Sequence, residues 1–582
     1  MVSTLTLGTR PRTLGAPAGD RAAELEHLLG DPTDVRNPTG YAKLLVADRR
    51  GTLSADAEAL LDEFGLNAEY VPRELGGRFD SAETLLRVMR PVFRRDAALG
   101  AGYGMSTFMA ASDVWMSGST AQRGWLAELL LSGSKAAIAQ HETAHTNDFV
   151  RSQVAATRTA AGLSVSGAKS VVNNLHRADA LVLFCRTDDR PGSGSHSALL
   201  LDPRTLPADR YRVTRRRPRT GMRGCHFDSV AFEDCPVPER TLLGPLGSGV
   251  PTSLRSFQMS RTLMASLVAA AVDTCLRTAV LVDRTQKPGH GAPVDPEHTA
   301  TTLANAFVNL LFYDCLAVVA TRALHLRPAE TSVYSAAVKS LLPRVLSDTM
   351  YELSTVLGSQ IYTRGGTVGV FQKHLRDVPV VSLGHAGTVA CQATIIPQLP
   401  ALAARSWFRE QPAPNALFEP GAPLPPFGYD QLTLACGRDG LSASLVETAG
   451  TLTGRSPVER ALRELAGQMV DELRDLRTRV LALSPPGCGA PVSPVWFTLT
   501  DRYVLVLAAA AVLGVWRHSD AGRDPFLADP AWAALALFHI ARRLGAPGVE
   551  VPAECTARVH QEVLARFGDQ RSYDLYNVPL PG

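Results

Sequence analysis

Hydrophobic positions in the first part of the chain recur at helical spacing. From residue 21 to about residue 131 apolar side chains return every three or four positions, and in residues 54–65 Leu60, Leu61 and Phe64 form one stripe. The serine that begins this stretch and the glycine that ends it are typical of the two ends of a helix. The pattern predicts a helical domain over residues 21–131, preceded by a flexible tail over residues 1–20.

The spacing changes between residues 132 and 245. Short β-branched runs separated by turn residues occur there, among them residues 163–167, 180–186 and 229–232. Alternating runs of this length are typical of strands. The pattern predicts a small central β domain.

Helical spacing returns after residue 245 and continues to the end of the chain. Long apolar segments are predicted to form helices near residues 261–283, 301–326 and 332–357. We therefore predict a helical bundle over 246–410, a Pro-rich linker over 411–427 and a helical extension over 428–582. The fold class is mainly α with a central β domain.

Composition and charge narrow the possible partners. The chain has 582 residues, of which 45% are hydrophobic and 20% charged, as in ordinary globular proteins. Lys and Arg number 59 against 56 Asp and Glu, so the net charge of +3 provides no bulk attraction to nucleic acid or to anionic lipid. We expect neither partner.

Cysteines and apolar runs indicate a cytoplasmic protein. The nine cysteines are scattered and include no CxxC pair, which is typical of reduced thiols. The apolar run 503–516 is shorter than the roughly 20 residues that span a bilayer, and the run 262–282 contains Asp273 and Arg277. We read the second run as a buried helix and find no signal peptide.

Several local motifs occur in a definite order along this framework. They are Val71–Gly77 (VPRELGG), Gly167–Asn174 (GAKSVVNN), Gly221–Gly224 (GMRG), Val230–Asp234 (VAFED), Gln360–Ile361, Gly365–Gly366 and Arg376–Asp377. In this order and spacing they resemble the acyl-CoA dehydrogenase superfamily over about residues 21–402. The extension after residue 425 is similar to that of the larger dehydrogenases and the acyl-CoA oxidases.

The resemblance implies FAD bound between the β domain and the helical bundle of a homodimer or homotetramer. It implies α,β-dehydrogenation of an acyl-CoA or an acyl carrier protein substrate: a base removes the α-proton while the β-hydrogen leaves as hydride to the flavin. The electron acceptor would be a flavoprotein or oxygen.

The carboxylate that serves as this base in the family is missing at each expected position. Counting eight residues from Asp377 gives His385, and alignment on the following Gly-Thr gives Ala386. The alternative family position, before Arg261, holds Ser260.

Three interpretations remain open. His385 is the base, since an imidazole with a pKa of roughly 6.5 is partly neutral near working pH. Alternatively, the protein is a flavin-dependent monooxygenase of the same fold, which removes no α-proton. In the third, it is a catalytically silent subunit or an acyl-binding protein.

The resemblance also assigns residues to the cofactor and the substrate. The family's flavin loop corresponds to residues 141–148 (HETAHTND), and the positions that cover the flavin and approach its N5 hold Val171 and Asn173, whose amide is a candidate donor. The expected cofactor contacts are Gln140, His141, Asn147, Val171, Asn173, Arg284, Gln360, Gly365, Gly366 and Thr388. The expected substrate contacts are Asn147, Ser260 and Arg261.

Two further patterns suggest other chemistry. Residues 141–145 match HExxH, which on a helix binds zinc, but the segment leads into strand-like sequence and offers no third ligand, so we predict no metal site. An arginine cluster over residues 210–223 is either a solvated face or a docking site for CoA phosphates or an acidic carrier protein.

Overall fold

A computed structural model describes most of the chain. It covers residues 18–145, 148–190, 192–214, 219–285, 296–384, 387–487, 492–546 and 548–582. Three residues assigned to the site, Asn147, His385 and Ala386, lie outside the described residues, as do Arg215, Arg216 and Arg217 of the basic cluster.

The N-terminal part folds as a layer of helices. These are α1 (Ala18–Leu29), α2 (Tyr41–Arg50), α3 (Ala55–Phe64), α4 (Ala82–Arg95), α5 (Ala97–Leu99), α6 (Ser106–Ser117) and α7 (Thr120–Leu131). The predicted caps of α3 are confirmed: the Ser54 side chain accepts from the Ala57 amide, and Gly65 adopts φ 71°. Helix α1 begins three residues inside the predicted tail.

The central part forms one sheet within the described residues. Its strands are β1 (Lys135–Ala139), β2 (Ala155–Thr159), β3 (Gly162–Asn173), β4 (Ala178–Arg186), β5 (His196–Leu201), β6 (Tyr211–Thr214), β7 (Phe227–Val237) and β8 (Leu242–Leu243). The order is β6-β7-β3-β2-β4-β5-β8, and β1 pairs in parallel with β4. Long β3 and β7 pair antiparallel, with Asn173 opposite Phe227 at one end.

The bundle follows the sheet. It consists of α8 (Gly249–Thr285), α9 (Pro296–Leu326), α10 (Thr331–Leu342), α11 (Asp348–Leu357), α12 (Gly366–Leu383), α13 (Thr388–Ile395) and α14 (Leu399–Arg405). The single helix predicted over 332–357 is divided, because a wider turn over Pro343–Ser347 separates α10 from α11. Proline lacks the amide that would continue the regular hydrogen bonding.

The Pro-rich segment is packed against the bundle. The Arg322 side chain donates to the carbonyls of Ala416 and Ala422, and Glu83 accepts from the Gly421 amide. These contacts reach both the bundle and the N-terminal layer. The segment is therefore a strap that crosses two layers.

The extension after the strap is helical. It contains α15 (Gly440–Thr451), α16 (Pro457–Ala482), α17 (Pro494–Arg517), α18 (Pro525–Ala528), α19 (Pro530–Leu544) and α20 (Ala553–Gly568). Its apolar side chains join those of the N-terminal layer and the bundle in one continuous core. The predicted fold class, a helical layer, a β domain, a bundle and a helical extension, is confirmed.

Among the described residues, three helices are long and apolar enough to cross a membrane by length and composition. They are α8, α9 and α17, and 89%, 94% and 83% of their most apolar windows are buried inside the protein. Residues 262–282 thus belong to a buried helix, as predicted.

Candidate active site

A cavity of about 160 Å³ lies where the N-terminal layer, the sheet and the bundle meet. The sheet contributes Val171, Asn173 and Phe227 to its walls, and the N-terminal layer contributes Met105, Ser106 and Met109. The bundle lines the third side, and three of its polar residues there, Ser260 and Arg261 on α8 and Lys339 on α10, are called here the bundle wall. Side chains from all three layers therefore face one space.

Five residues that the sequence assigned to the site line this cavity. They are His141, Val171, Asn173, Ser260 and Arg261. Gln140 is buried beside them and its amide nitrogen donates to the Ser253 hydroxyl of α8 at 3.1 Å. The fold thus brings together segments that lie more than a hundred residues apart in sequence.

Asn173 offers an unsatisfied acceptor next to the cavity. Its Nδ2 donates to the Ser106 hydroxyl at 2.5 Å, and its Oδ1 is buried without a hydrogen-bond partner. A buried amide oxygen without a partner costs free energy, so a ligand that donates to it would be stabilised. Rotating the amide would present a donor instead.

The loop at residues 140–145 is held by a buried ion pair. Glu142 accepts from the Ser152 hydroxyl at 2.7 Å and from the amides of Gln153 and Val154 at 2.9–3.1 Å. Lys169 on β3 donates to the same carboxylate at 3.0 Å and to the Gln140 carbonyl at 3.1 Å.

These contacts determine the charge of Glu142. Burial alone would raise its pKa, but the hydrogen bonds from Ser152 and Gln153 and the charge of Lys169 together lower the pKa to about 2. Burial lowers the pKa of Lys169. Glu142 is therefore a structural carboxylate at neutral pH.

The HExxH match does not form a zinc helix. Residues 141–145 form an extended segment and a turn, so the two imidazoles do not share a helix face, and the Glu142 carboxylate is already bonded. Within the described ranges no group of three or more His, Cys, Asp or Glu side chains is placed to hold a metal.

The bundle wall carries two buried cations. Arg261, 4% exposed, donates to the Thr394 hydroxyl of α13 at 3.0 Å, and its guanidinium lies 5.1 Å from the centre of the Phe257 ring. Lys339, 2% exposed, donates to the Val381 carbonyl of α12. Burial, reinforced by the charge of Arg261, lowers the pKa of Lys339 to about 8.

Comparison with known proteins agrees with this architecture. No family model matches the chain. Over 236 residues it is 26% identical to isovaleryl-CoA dehydrogenase of Oryza sativa, a match that covers 40% of this chain and 57% of that protein. The chain therefore spans little more than half the length of the curated relatives it matches.

Solved structures cover more of the fold. Butyryl-CoA dehydrogenase from Megasphaera elsdenii superposes with a TM-score of 0.58 at 18% identity, over 64% of this chain and 96% of that one. The prolyl acyl carrier protein oxidase AnaB gives 0.57 at 16% identity, over 65% and 97%. This chain has the acyl-CoA dehydrogenase fold. The superfamily resemblance inferred from the motifs is confirmed.

Other residues assigned to the flavin lie far from the cavity. Arg284 is near the end of α8, about 35 Å from Arg261 at 1.5 Å per residue. Gln360 and Gly365 are exposed in the turn before α12, and Gly366, also exposed, is the first residue of that helix. This second group, Arg284, Gln360, Gly365 and Gly366, does not line the cavity.

Thr388 occupies a third position. It is the first residue of α13, the helix whose Thr394 holds Arg261.

Lys339 and Asp113 are not among the residues predicted from the sequence. Lys339 is a single charge inside the apolar run of α10, a signal that was available in the sequence. Asp113 lies one helical turn beyond Met109 on α6 and is buried, and burial raises its pKa to about 7 although the Ser256 hydroxyl lowers it. Nothing in its local sequence indicates a buried carboxyl.

Proposed function

We propose that this protein is a flavin-dependent oxidoreductase that acts on an acyl thioester. The observation that carries the proposal is the cavity between sheet and bundle, because five of the residues that the resemblance assigns to flavin and substrate line it. Homologous acyl-CoA dehydrogenases support the reaction class, and the structural similarity to AnaB supports a carrier protein as an alternative carrier of the acyl group.

The residues of the cavity fit a flavin. The Oδ1 of Asn173, which lacks a hydrogen-bond partner, would accept a hydrogen bond from a flavin N–H, whereas the rotated amide would donate to N5 as the resemblance implies. Val171 presents an apolar surface that is 40% exposed. When bound, FAD would supply the hydride acceptor. The methionines of the N-terminal layer and Phe227 would exclude water from the acyl group.

The base remains the distinctive element of the proposal. Ser260 occupies one family position of the carboxylate, is buried and donates to the Phe257 carbonyl at 3.4 Å. A serine hydroxyl is a poor proton acceptor near neutral pH. We therefore propose that the His385 imidazole removes the α-proton.

We also propose a homodimer or homotetramer. The second group of flavin residues, Arg284 and the turn before α12, would then serve the cavity of a neighbouring copy. Tyr351 on α11 and Tyr362 in the turn before α12 are 70% and 81% exposed and would be covered. Light scattering on the purified protein tests the assembly.

The first experiment is the visible spectrum of the purified protein, followed by anaerobic titration with acyl-CoA and acyl carrier protein thioesters. We expect bound FAD that is bleached by substrate. His385→Ala should slow flavin reduction by about 10²-fold to 10⁴-fold while FAD binding is unchanged. The control His27→Ala replaces an exposed histidine of α1 and should leave reduction unaltered.

Other outcomes would select the alternatives. A protein that consumes externally supplied reduced flavin and oxygen, with no bleaching by thioesters, would be a monooxygenase. A protein that neither bleaches nor consumes oxygen would be a silent subunit. Unchanged reduction in His385→Ala would refute the assignment of the base.

A further inference from the structure

The cavity is lined by positively charged side chains, whereas a site with a catalytic carboxylate would contain a negative charge. Arg261 and Lys339 both face it, and none of the described residues that line it is Asp or Glu. The described walls of the cavity are therefore cationic.

Neither cation is neutralised by the described part of the protein. Their polar contacts go to neutral oxygens, the Thr394 hydroxyl and the Val381 carbonyl. The Nε of Arg261 is buried without a hydrogen-bond partner. A buried cation that is held only by neutral groups is destabilised, and two of them near one another repel.

An anion in the cavity would relieve both costs. The other walls are largely apolar, with Met105, Met109 and Phe227 among their residues. An anion that suits this space has an apolar body and one charged group. Carboxylates meet this description, and arginine binds them with directed hydrogen bonds.

We propose that the bundle wall binds a carboxylate of the substrate, so that the acyl group carries a carboxylate in addition to its thioester. Arg261 and Lys339 donate to this carboxylate. That the carboxylate belongs to an acyl thioester rests on the proposed function. That the cavity binds an anion rests only on the two cations.

The test compares CoA thioesters of equal length that differ at the far end of the acyl group. Succinyl-CoA and butyryl-CoA form the four-carbon pair, and glutaryl-CoA and pentanoyl-CoA form the five-carbon pair. Titration calorimetry on the FAD-loaded protein should show at least about tenfold tighter binding of a carboxylate-bearing member, the effect of one or more charged hydrogen bonds.

Variants assign the preference to the bundle wall. Lys339→Met and Arg261→Met should each reduce the preference about tenfold or more. Lys43→Met is the matched control, since Lys43 is an exposed lysine of α2, and it should preserve the preference. Lys339→Arg keeps the positive charge and should retain much of the preference for the carboxylate. This variant therefore separates the effect of charge from that of packing.

A second measurement needs neither flavin nor thioester. Free glutarate should raise the melting temperature of the wild-type protein more than pentanamide does, and this difference should disappear in Lys339→Met. If glutarate stabilises the protein but no thioester binds, the anion site stands and the proposed function fails.

Three results would overturn the inference while the proposed function stands. One is equal binding of the paired thioesters. Another is a loss of affinity in the Lys339 and Arg261 variants that is as large for butyryl-CoA as for succinyl-CoA. The two cations would then contact the thioester end of the substrate. The third is weaker FAD binding in the variants with an unchanged carboxylate preference.

Discussion

Glu142 illustrates how a single side chain can organise a loop of the site. Glu142 lies in the segment 141–148 that the resemblance matches to the family's flavin loop, but its partners come from β3 and from residues 152–154. Its role is to hold the backbone beside the cavity. The same contacts exclude it from the zinc chemistry that the HExxH pattern suggests.

Replacing Glu142 by Gln should destabilise the protein by about 2 kcal/mol at pH 7. The pKa of about 2 lies below the ordinary value of 4.5, so the ionised group stabilises the folded state above pH 4.5, and this contribution is lost as the pH falls toward 2. Urea unfolding at several pH values should show the difference between wild type and variant shrinking below pH 4.5.

An exposed ion pair provides the control for this measurement. Glu239 pairs with Arg158 at 2.7 Å, and their side chains are 58% and 64% exposed. Glu239→Gln should change stability by less than about 1 kcal/mol at any of these pH values. A loss as large as that of Glu142→Gln would contradict the assigned role of burial.

At the scale of elements, helix α12 is attached to the β domain through the Gly-Met-Arg-Gly turn. Asp377 accepts from the Met222 amide at 2.5 Å and from Lys373 at 2.6 Å. This contact places Met222 in the wall of the cavity. The Arg-Asp motif read from the sequence is thus structural, since Arg376 also pairs with Asp48 at 2.9 Å.

Gly221→Ala should disrupt this attachment. A Cβ at Gly221 would lie 2.0 Å from the Arg376 carbonyl oxygen, so α12 or the turn must shift. We expect a loss of about 3 kcal/mol, at the upper end of overpacking costs, together with weaker FAD binding. Denaturant unfolding and FAD titration measure the two effects.

The matched control is Gly124→Ala in the middle of α7. Nothing lies within 4 Å of a Cβ at that position. Alanine favours a helix by about 0.8–1 kcal/mol relative to glycine, so this variant should be slightly more stable. If both variants behave alike, backbone proximity at Gly221 is not the reason for a glycine there.

At the scale of the whole molecule, the C-terminal tail joins the N-terminal layer to the bundle. Asp574 pairs with Arg90 at 2.9 Å and with Arg94 at 3.3 Å, both on α4. The neighbouring amides of Tyr573 and Leu575 donate to Asp273 on α8 and Asp314 on α9 at 3.0 Å. The tail thereby completes a buried ionic network.

Asp574→Asn should be strongly destabilising. Burial opposes ionisation of this carboxyl, but Arg90 and Arg94 lower its pKa, so it is charged at neutral pH. Its replacement removes the carboxylate that Arg90 and Arg94 share and leaves Arg90 paired with Asp314 and Arg94 paired with Glu26, and breaking such a buried pair costs about 3–5 kcal/mol. Asp569→Asn, at an exposed position of the same tail, should have almost no effect on the unfolding midpoint.

The sequence by itself determined the architecture of this protein, because local periodicity and capping act within a few residues. The caps of α3, the strand at 180–186 and the buried helix over 262–282 follow from such short-range patterns. The order of the sequence motifs was sufficient to predict the fold. The single helix predicted over 332–357 was wrong because the effect of Pro343 on helical hydrogen bonding was not taken into account.

Only the tertiary structure decided the character of the candidate site. Lys339 faces Arg261, Gly221 meets Arg376, and Asp574 reaches α4, yet each pair is far apart in sequence. Whether a buried charge has a partner depends on which helices pack together, and no local pattern records that. The sequence shows that the family carboxylate is missing. The two cations of the bundle wall are brought together only by the packing of α8 against α10.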